Sequence, residues 1–181
     1  MRKEIGSLIG AIGGITFVEV NASSLPGPVR WPVRIVGILG FVAVVWYAVI
    51  RPRGRQQPSA PPSPRSIRIY WMCVAAEVAA IPLGSLVITR VFDQPLLTLA
   101  WVVLVLGVHF LPFAKAFAAP LFAWLGVALI GVAVVGGVLT VAVDAQARGW
   151  MAVVAGFVLL AFSALGGRGG RAEEESRSSS P

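Results

Sequence analysis

Residues 118–142 read AAPLFAWLGVALIGVAVVGGVLTVA, a stretch without a single charged side chain. A helix needs about 20 consecutive apolar residues to cross a bilayer core that is roughly 30 Å thick. Within lipid the backbone has to satisfy its own hydrogen bonds, and a helix does so inside one segment. The stretch therefore predicts a transmembrane helix.

Five other apolar runs share the chain with this one, and short polar breaks separate them. The six predicted spans lie near 5–23, 31–50, 67–89, 95–113, 118–142 and 150–166. Hydrophobic residues make up 57% of the chain and charged residues 13%. The longest break, 51–66, is too short to form a hydrophobic core of its own. We therefore predict an all-α fold, a polytopic transmembrane bundle of six helices.

The basic residues are distributed unevenly between the two membrane sides that six crossings define. Eleven lie on the side of both termini: Arg2, Lys3, Arg51, Arg53, Arg55, Arg65, Arg68, Lys115, Arg168, Arg171 and Arg177. Four lie on the other side: Arg30, Arg34, Arg90 and Arg148. Because Lys and Arg accumulate in cytoplasmic loops, both termini are predicted to be cytoplasmic. The net charge of +7 is thus an orientation signal with some attraction to anionic lipid, and it does not indicate nucleic-acid binding.

The breaks divide the chain into four predicted regions. Residues 1–50 form a two-helix transmembrane hairpin, 51–66 a Pro- and Arg-rich cytoplasmic linker, 67–166 a four-helix transmembrane unit, and 167–181 a disordered cytoplasmic tail. The first segment has an alternative interpretation as a cleaved secretory signal, because Arg2 and Lys3 precede an apolar run that ends in small residues. Glu19 and the glycines of that run favour a retained helix.

Small residues recur at a spacing of four in two of the spans. They are Gly6, Gly10 and Gly14 in the first span, and the pairs Ala75/Ala79 and Ala76/Ala80 in the third. Such faces let helix backbones approach closely, which matters because lipid supplies no hydrophobic drive for helix association. We expect these faces to serve packing within one subunit, with a dimer interface as the alternative.

Three ionisable residues interrupt the apolar spans, and such residues are functional candidates by default because they are costly in lipid. Glu77 lies near the middle of the third span, His109 in the cytoplasmic half of the fourth, and Glu19 in the outer half of the first. Asn21 lies one turn or less beyond Glu19. Together they form a candidate intramembrane polar site.

Two prolines lie beside the deepest of these residues. Pro82 and Pro112 each remove one helical hydrogen bond and predict kinks in the third and fourth spans. Measured from the centres of their spans, Glu77 and His109 differ in depth by about 8 Å at 1.5 Å per residue. We therefore expect that a contact between them needs a kink, a bridging water or both.

The polar residues admit two interpretations. In the first, Glu77 hydrogen-bonds a neighbour and His109 bonds a backbone carbonyl oxygen, and the chain is a non-enzymatic structural or accessory membrane component. Glu19 then reaches the outer interface, with Arg30 or Arg34 as its expected neighbour. In the second, Glu19, Glu77 and His109 form a path for a proton-coupled or cation-coupled transporter or channel. Three groups are few for a relay, so the sequence favours the structural role.

The expected partners follow from the class of protein. They are the lipid bilayer and either a second copy of the chain or another membrane protein.

Other chemistry has little support in the sequence. Motifs of P-loop proteins, zinc proteases, serine hydrolases and dithiol redox proteins do not occur. One histidine and one cysteine, Cys73, are too few for a typical metal site, and a single cysteine cannot form an intrachain disulfide. We therefore expect no enzyme activity, catalytic residue, cofactor or metal.

Two short stretches carry a resemblance. The sequence from Phe17 to Ala22 (FVEVNA) with the following Leu25 and Pro26, and the sequence from Val105 to Pro112 (VLGVHFLP), resemble small multi-pass membrane proteins of actinobacteria that have no assigned activity. The abundance of Ala, Val, Gly and Arg also suits a genome rich in G and C. The resemblance implies a multi-pass protein of a bacterial plasma membrane and implies no activity.

Overall fold

A computed structural model describes residues 3–47 and 63–166 of the chain, with side chains from residue 6 onward. In this described part the backbone forms six α-helices and no strand. The helices are α1 (Lys3–Ala22), α2 (Gly27–Val45), α3 (Pro64–Arg90), α4 (Thr98–Ala116), α5 (Pro120–Ala142) and α6 (Ala147–Gly166). The predicted all-α class is confirmed. Residues 51–62 of the predicted linker and the whole predicted tail lie outside the described residues. Residues 64–66 of the predicted linker form the first turn of α3 instead.

Five of the helices, α2 to α6, are long and apolar enough to cross a membrane. The apolar part of α1, Gly6–Ala22, is shorter than a typical span. At 1.5 Å per residue it extends about 26 Å, which is slightly less than a bilayer core. The fold is a helical membrane bundle in which five of the six predicted spans have the expected length and composition.

Helix starts and turns follow from local residues. Prolines lie in the first turn of α2, α3 and α5, where the missing N–H removes no helical hydrogen bond. Ser63 caps α3, and its Oγ accepts a hydrogen bond from the Ser66 N–H at 3.1 Å. A short 3-10 turn, Pro95–Leu97, precedes α4. These boundaries determine how far each helix extends and so where its polar residues lie in the membrane.

The helices pack as a row in the order α2, α1, α6, α5, α4, α3. Four of the five contacts join helices that are consecutive in sequence, whereas the contact between α1 and α6 joins the two ends of the chain and is the most extensive. The N-terminal hairpin therefore packs directly against α6 of the predicted four-helix unit. In this row α2 and α3 lie at opposite ends.

Two helix crossings bring backbone against backbone at glycines. A Cβ atom at Gly14 of α1 would lie 2.8 Å from the carbonyl oxygen of Gly156 in α6, and one at Gly156 would lie 2.7 Å from that of Gly14. Gly107 of α4 and Gly126 of α5 face each other in the same way, at 2.9 and 2.7 Å. Any side chain at these positions would force the helices apart, so glycine is what permits both contacts.

The small-residue faces predicted from the sequence differ in what they contact. In α1 the glycine face serves packing within the chain, since Gly14 meets Gly156 and Gly10 lies against Ser163 of α6. Gly6 has open space beside it. In α3 the Ala75 and Ala79 pair is exposed. The prediction of packing within one subunit is thus confirmed for α1 and not for that pair of α3.

The buried core lies between α4, α5 and α6. Its members are Val103, Leu125, Leu129, Ala133, Met151, Ala155 and Leu159. A smaller cluster joins α1, α2 and α6 through Ala11, Val44 and Leu160. Helix α3 contributes no buried residue, and large apolar side chains are exposed along it. An outer surface of this kind suits contact with lipid chains, because lipid is as apolar as these side chains.

Candidate functional site

Glu77 of α3 and His109 of α4 are in direct contact. The distance between His109 Nδ1 and Glu77 Oε2 is 3.0 Å. The His109 side chain is 9% exposed and that of Glu77 is 21% exposed, so the pair is largely buried. His109 Nδ1 makes no hydrogen bond of good geometry despite this distance. The two deepest polar residues predicted from the sequence are therefore partners.

The predicted difference in depth between these two residues is wrong. Glu77 lies before Arg90, where α3 ends, and His109 lies after Pro95, where the turn into α4 begins. The two stretches of chain are almost equally long. At 1.5 Å per residue both are about 20 Å from the turn that joins the helices. The turn between α3 and α4 determines which residues of the two helices lie side by side. The centres of the apolar runs do not, because α3 extends further than α4 at the end away from this turn. No bridging group is needed.

An aromatic cluster encloses the histidine side of the pair. The ring of buried Phe113 lies 4.4 Å from the ring of His109, and Tyr70 of α3 stacks on Phe113 at 5.6 Å. Phe110 stacks on Phe122 of α5 at 5.9 Å. Such ring contacts add packing energy and exclude water from the imidazole. The only sign of this cluster in the sequence is the recurrence of phenylalanines at helical spacing in α4.

Two further polar contacts join α3 to α4 on either side of the pair. Towards the linker end, the Ser66 hydroxyl donates to the carbonyl oxygen of Ala116 at 2.8 Å. Towards the opposite end, Trp101 Nε1 donates to the carbonyl oxygen of Ala80 at 3.0 Å, and its ring packs on Gly84. The Glu77–His109 pair is thus the middle one of three polar contacts that hold this hairpin together.

Glu19 and Asn21 lie apart from this pair. Arg34 of α2 approaches Glu19 of α1, with 3.5 Å between Arg34 Nε and Glu19 Oε2, and it also donates to the Glu19 carbonyl oxygen at 3.2 Å. Asn21 Nδ2 donates to the carbonyl oxygen of Phe17, one turn back in α1. Because α1 and α2 are separated from α3 by three other helices, these contacts do not continue the Glu77–His109 pair into a single path.

Replacing Glu19 by glutamine is expected to lower the free energy of unfolding by less than about 1 kcal/mol. The side chains of Arg34 and Glu19 are 28% and 32% exposed, and ion pairs with that degree of exposure contribute little. Arg34 also keeps its bond to the Glu19 backbone in this variant. Unfolding of the purified protein in mixed micelles measures the change. A loss clearly larger than that of an exposed ion pair would contradict a peripheral role.

Both predicted kink prolines lie within continuous helices, Pro82 in α3 and Pro112 in α4. A kink at either position stays a prediction. Among the described residues, no group of three or more His, Cys, Asp and Glu side chains could hold a metal ion.

Two concavities of the described part of the chain lie away from the Glu77–His109 pair. One, of about 420 Å³, is lined by Pro64, Arg65 and Arg68. The other, of about 280 Å³, is an apolar groove between α3, α4 and α5. Neither is lined by Glu77 or His109.

Comparison with family models, curated proteins and solved structures found no match. The resemblance to actinobacterial proteins therefore stays a prediction. The fold by itself defines the class, a helical membrane protein with a polar pair between two of its helices.

Proposed function

We propose that the protein is a non-enzymatic structural or accessory component of a membrane, and that its intramembrane polar residues hold its helices together. The observation that supports this most is the direct contact between Glu77 and His109 at 3.0 Å. Each of these polar groups has the other as its partner, and the neighbouring rings exclude water from the imidazole. A pair of this kind stabilises the association of two helices in lipid.

The setting of this component is a bacterial plasma membrane, with both termini in the cytoplasm. The uneven distribution of basic residues supports the orientation, and the actinobacterial resemblance supports the location. Its partners are the surrounding lipid and either a second copy or another membrane protein. The apolar outer surface of α3, which no other described helix covers on that side, is available for such a contact.

The alternative function is a small proton-coupled or cation-coupled transporter or channel. Two observations favour it: Glu77 keeps 21% of its side chain exposed, and its partner is a histidine. Histidine ordinarily changes its charge between pH 5 and 8, so a carboxylate and an imidazole in contact can exchange a proton. This function would use Glu77 and His109 without Glu19, which pairs with Arg34 instead.

Replacing Glu77 by glutamine distinguishes the two functions. A glutamine keeps the size of the side chain and an oxygen that faces His109, so the structural role predicts a folded, monodisperse protein with less than about 1 kcal/mol of lost stability. Proteoliposomes with internal pH-sensitive and cation-sensitive dyes should then show the same low flux for the wild type and the variant. The matched control is Glu19→Gln, the same chemical change at the Arg34 pair.

The structural role would be overturned if the wild type carried a flux of protons, Na⁺ or K⁺ that Glu19→Gln retains and Glu77→Gln abolishes. That result would establish the transport alternative, provided that circular dichroism and gel filtration show a folded variant.

A further inference from the structure

Three basic residues belong to the first turns of α3 and the last turn of α4, and we call them the inner basic site: Arg65, Arg68 and Lys115. All three are exposed. The Ser66 hydroxyl bonds to the carbonyl oxygen of Ala116 at 2.8 Å, which holds the first turn of α3 beside the last turn of α4. The site is thus built from two helices whose ends have a defined relative position.

No described acidic side chain neutralises this site. Neither Arg65 nor Arg68 forms an ion pair with a residue that the structure describes. The nearest described carboxylate on α3, Glu77, lies about 14 Å further along the helix than Arg68, and it pairs with His109. The other described acidic side chains lie at or near the opposite ends of their helices: Glu19, Asp93 and Asp144. The described acidic side chains therefore leave the positive charge of this site unbalanced.

The donor groups of the site suit an oxyanion. Pro64, Arg65 and Arg68 line an open concavity of about 420 Å³. Arg65 and Arg68 are three residues apart on a helix, so their guanidinium groups lie on neighbouring turns of one face. A guanidinium group presents a planar fork of N–H donors that matches the geometry of phosphate oxygens.

The depth of the site suits the surface of a bilayer. Tyr70 and Trp71 follow within one turn of Arg68, and Trp71 is 63% exposed. Aromatic side chains of this kind concentrate at the level of the lipid headgroups. The apolar length of α3 follows, so a membrane that this helix spans would have its headgroup level near Arg65 and Arg68.

We infer that the inner basic site binds the phosphate group of an anionic phospholipid, with Arg65 and Arg68 as its ligands and Lys115 adding positive charge. The occupant is a lipid of the surrounding leaflet and not a free phosphate, because the aromatic residues and the apolar surface of α3 lie directly beside the site. This inference is independent of the role of Glu77 and His109. It also holds for either orientation of the chain.

Titration of the delipidated protein with phosphatidylglycerol and with phosphatidylcholine tests the site, and native mass spectrometry reports the bound lipid. The variant is Arg65→Gln with Arg68→Gln. The matched control is Arg90→Gln with Arg148→Gln, which removes the same charge from the opposite side of the bundle. Each basic residue near a membrane surface contributes roughly five-fold to the binding of anionic lipid. We therefore expect the variant to bind phosphatidylglycerol on the order of twenty-fold more weakly, and the control to change by less than about three-fold.

A second variant, Arg65→Lys with Arg68→Lys, keeps the charge and removes the forked donors, and we expect it to bind with intermediate strength. Equal losses in the glutamine variant and the control would overturn the inference, because only the total charge would then matter. A wild type that binds both lipids equally would also overturn it. Displacement of the lipid by millimolar inorganic phosphate would show a site for free phosphate and would exclude the lipid as its specific occupant.

Discussion

Replacing His109 by leucine is expected to lower the free energy of unfolding by about 2 kcal/mol, since removing one partner of a buried polar contact leaves the other partner unsatisfied. Glu77 would keep its place between α3 and α4 with no other described charge beside it. Leucine fills much the same volume beside Phe113, so lost packing contributes little to the effect. Unfolding of purified protein in mixed micelles of dodecyl sulfate and a mild detergent measures the change.

The partner substitution identifies the cause of that loss. Adding Glu77→Leu to the His109→Leu variant removes the unsatisfied carboxyl group, and replacing both partners of a buried polar contact by apolar residues can be nearly neutral. We expect the double variant to lie within about 1 kcal/mol of the wild type. A double variant as unstable as His109→Leu alone would mean that the damage comes from packing and not from the pair.

Replacing Gly14 by alanine is expected to cost about 2 kcal/mol, whereas the same change at Gly13 should cost nothing. The new Cβ at position 14 would lie 2.8 Å from the carbonyl oxygen of Gly156, and a backbone atom cannot move aside as a flexible side chain can. At Gly13 no atom lies within 4 Å of the same Cβ position. The two glycines are neighbours in one helix, so helix propensity affects both variants alike.

The comparison measures the contact between α1 and α6, which holds the N-terminal hairpin on the bundle. Micelle unfolding gives the stability difference, and crosslinking between cysteines placed in α1 and α6 reports whether the two helices still meet. Equal behaviour of the two variants would show that the close backbone approach at Gly14 contributes nothing to stability. Gly107→Ala should have an effect similar to that of Gly14→Ala at the α4 and α5 crossing, since Gly126 faces it at a comparable distance.

The residues of the candidate site are predictable from the sequence, but their contacts are not. Glu77 and His109 are recognisable from the sequence because an ionisable residue stands out in an apolar run. Their direct contact does not follow from the sequence, because depth measured from span centres ignores the turn at Pro95, which determines the register. Glu19 lies apart from them, since Arg34 on the adjacent helix pairs with that carboxylate. Arg34 is one of the two neighbours that the sequence predicts for it.

By itself the sequence determined that this is a helical membrane protein, where its apolar helices run, and which few residues are polar within them. These properties depend on composition along the chain, because lipid selects apolar helices of sufficient length. Only the tertiary structure decided that α6 packs against α1, that Gly14 meets Gly156, and that His109 meets Glu77. The reason is that lipid solvates every apolar face about equally well. Hydrophobicity therefore does not determine which helices pack together. Close backbone fit and matched polar groups determine it instead.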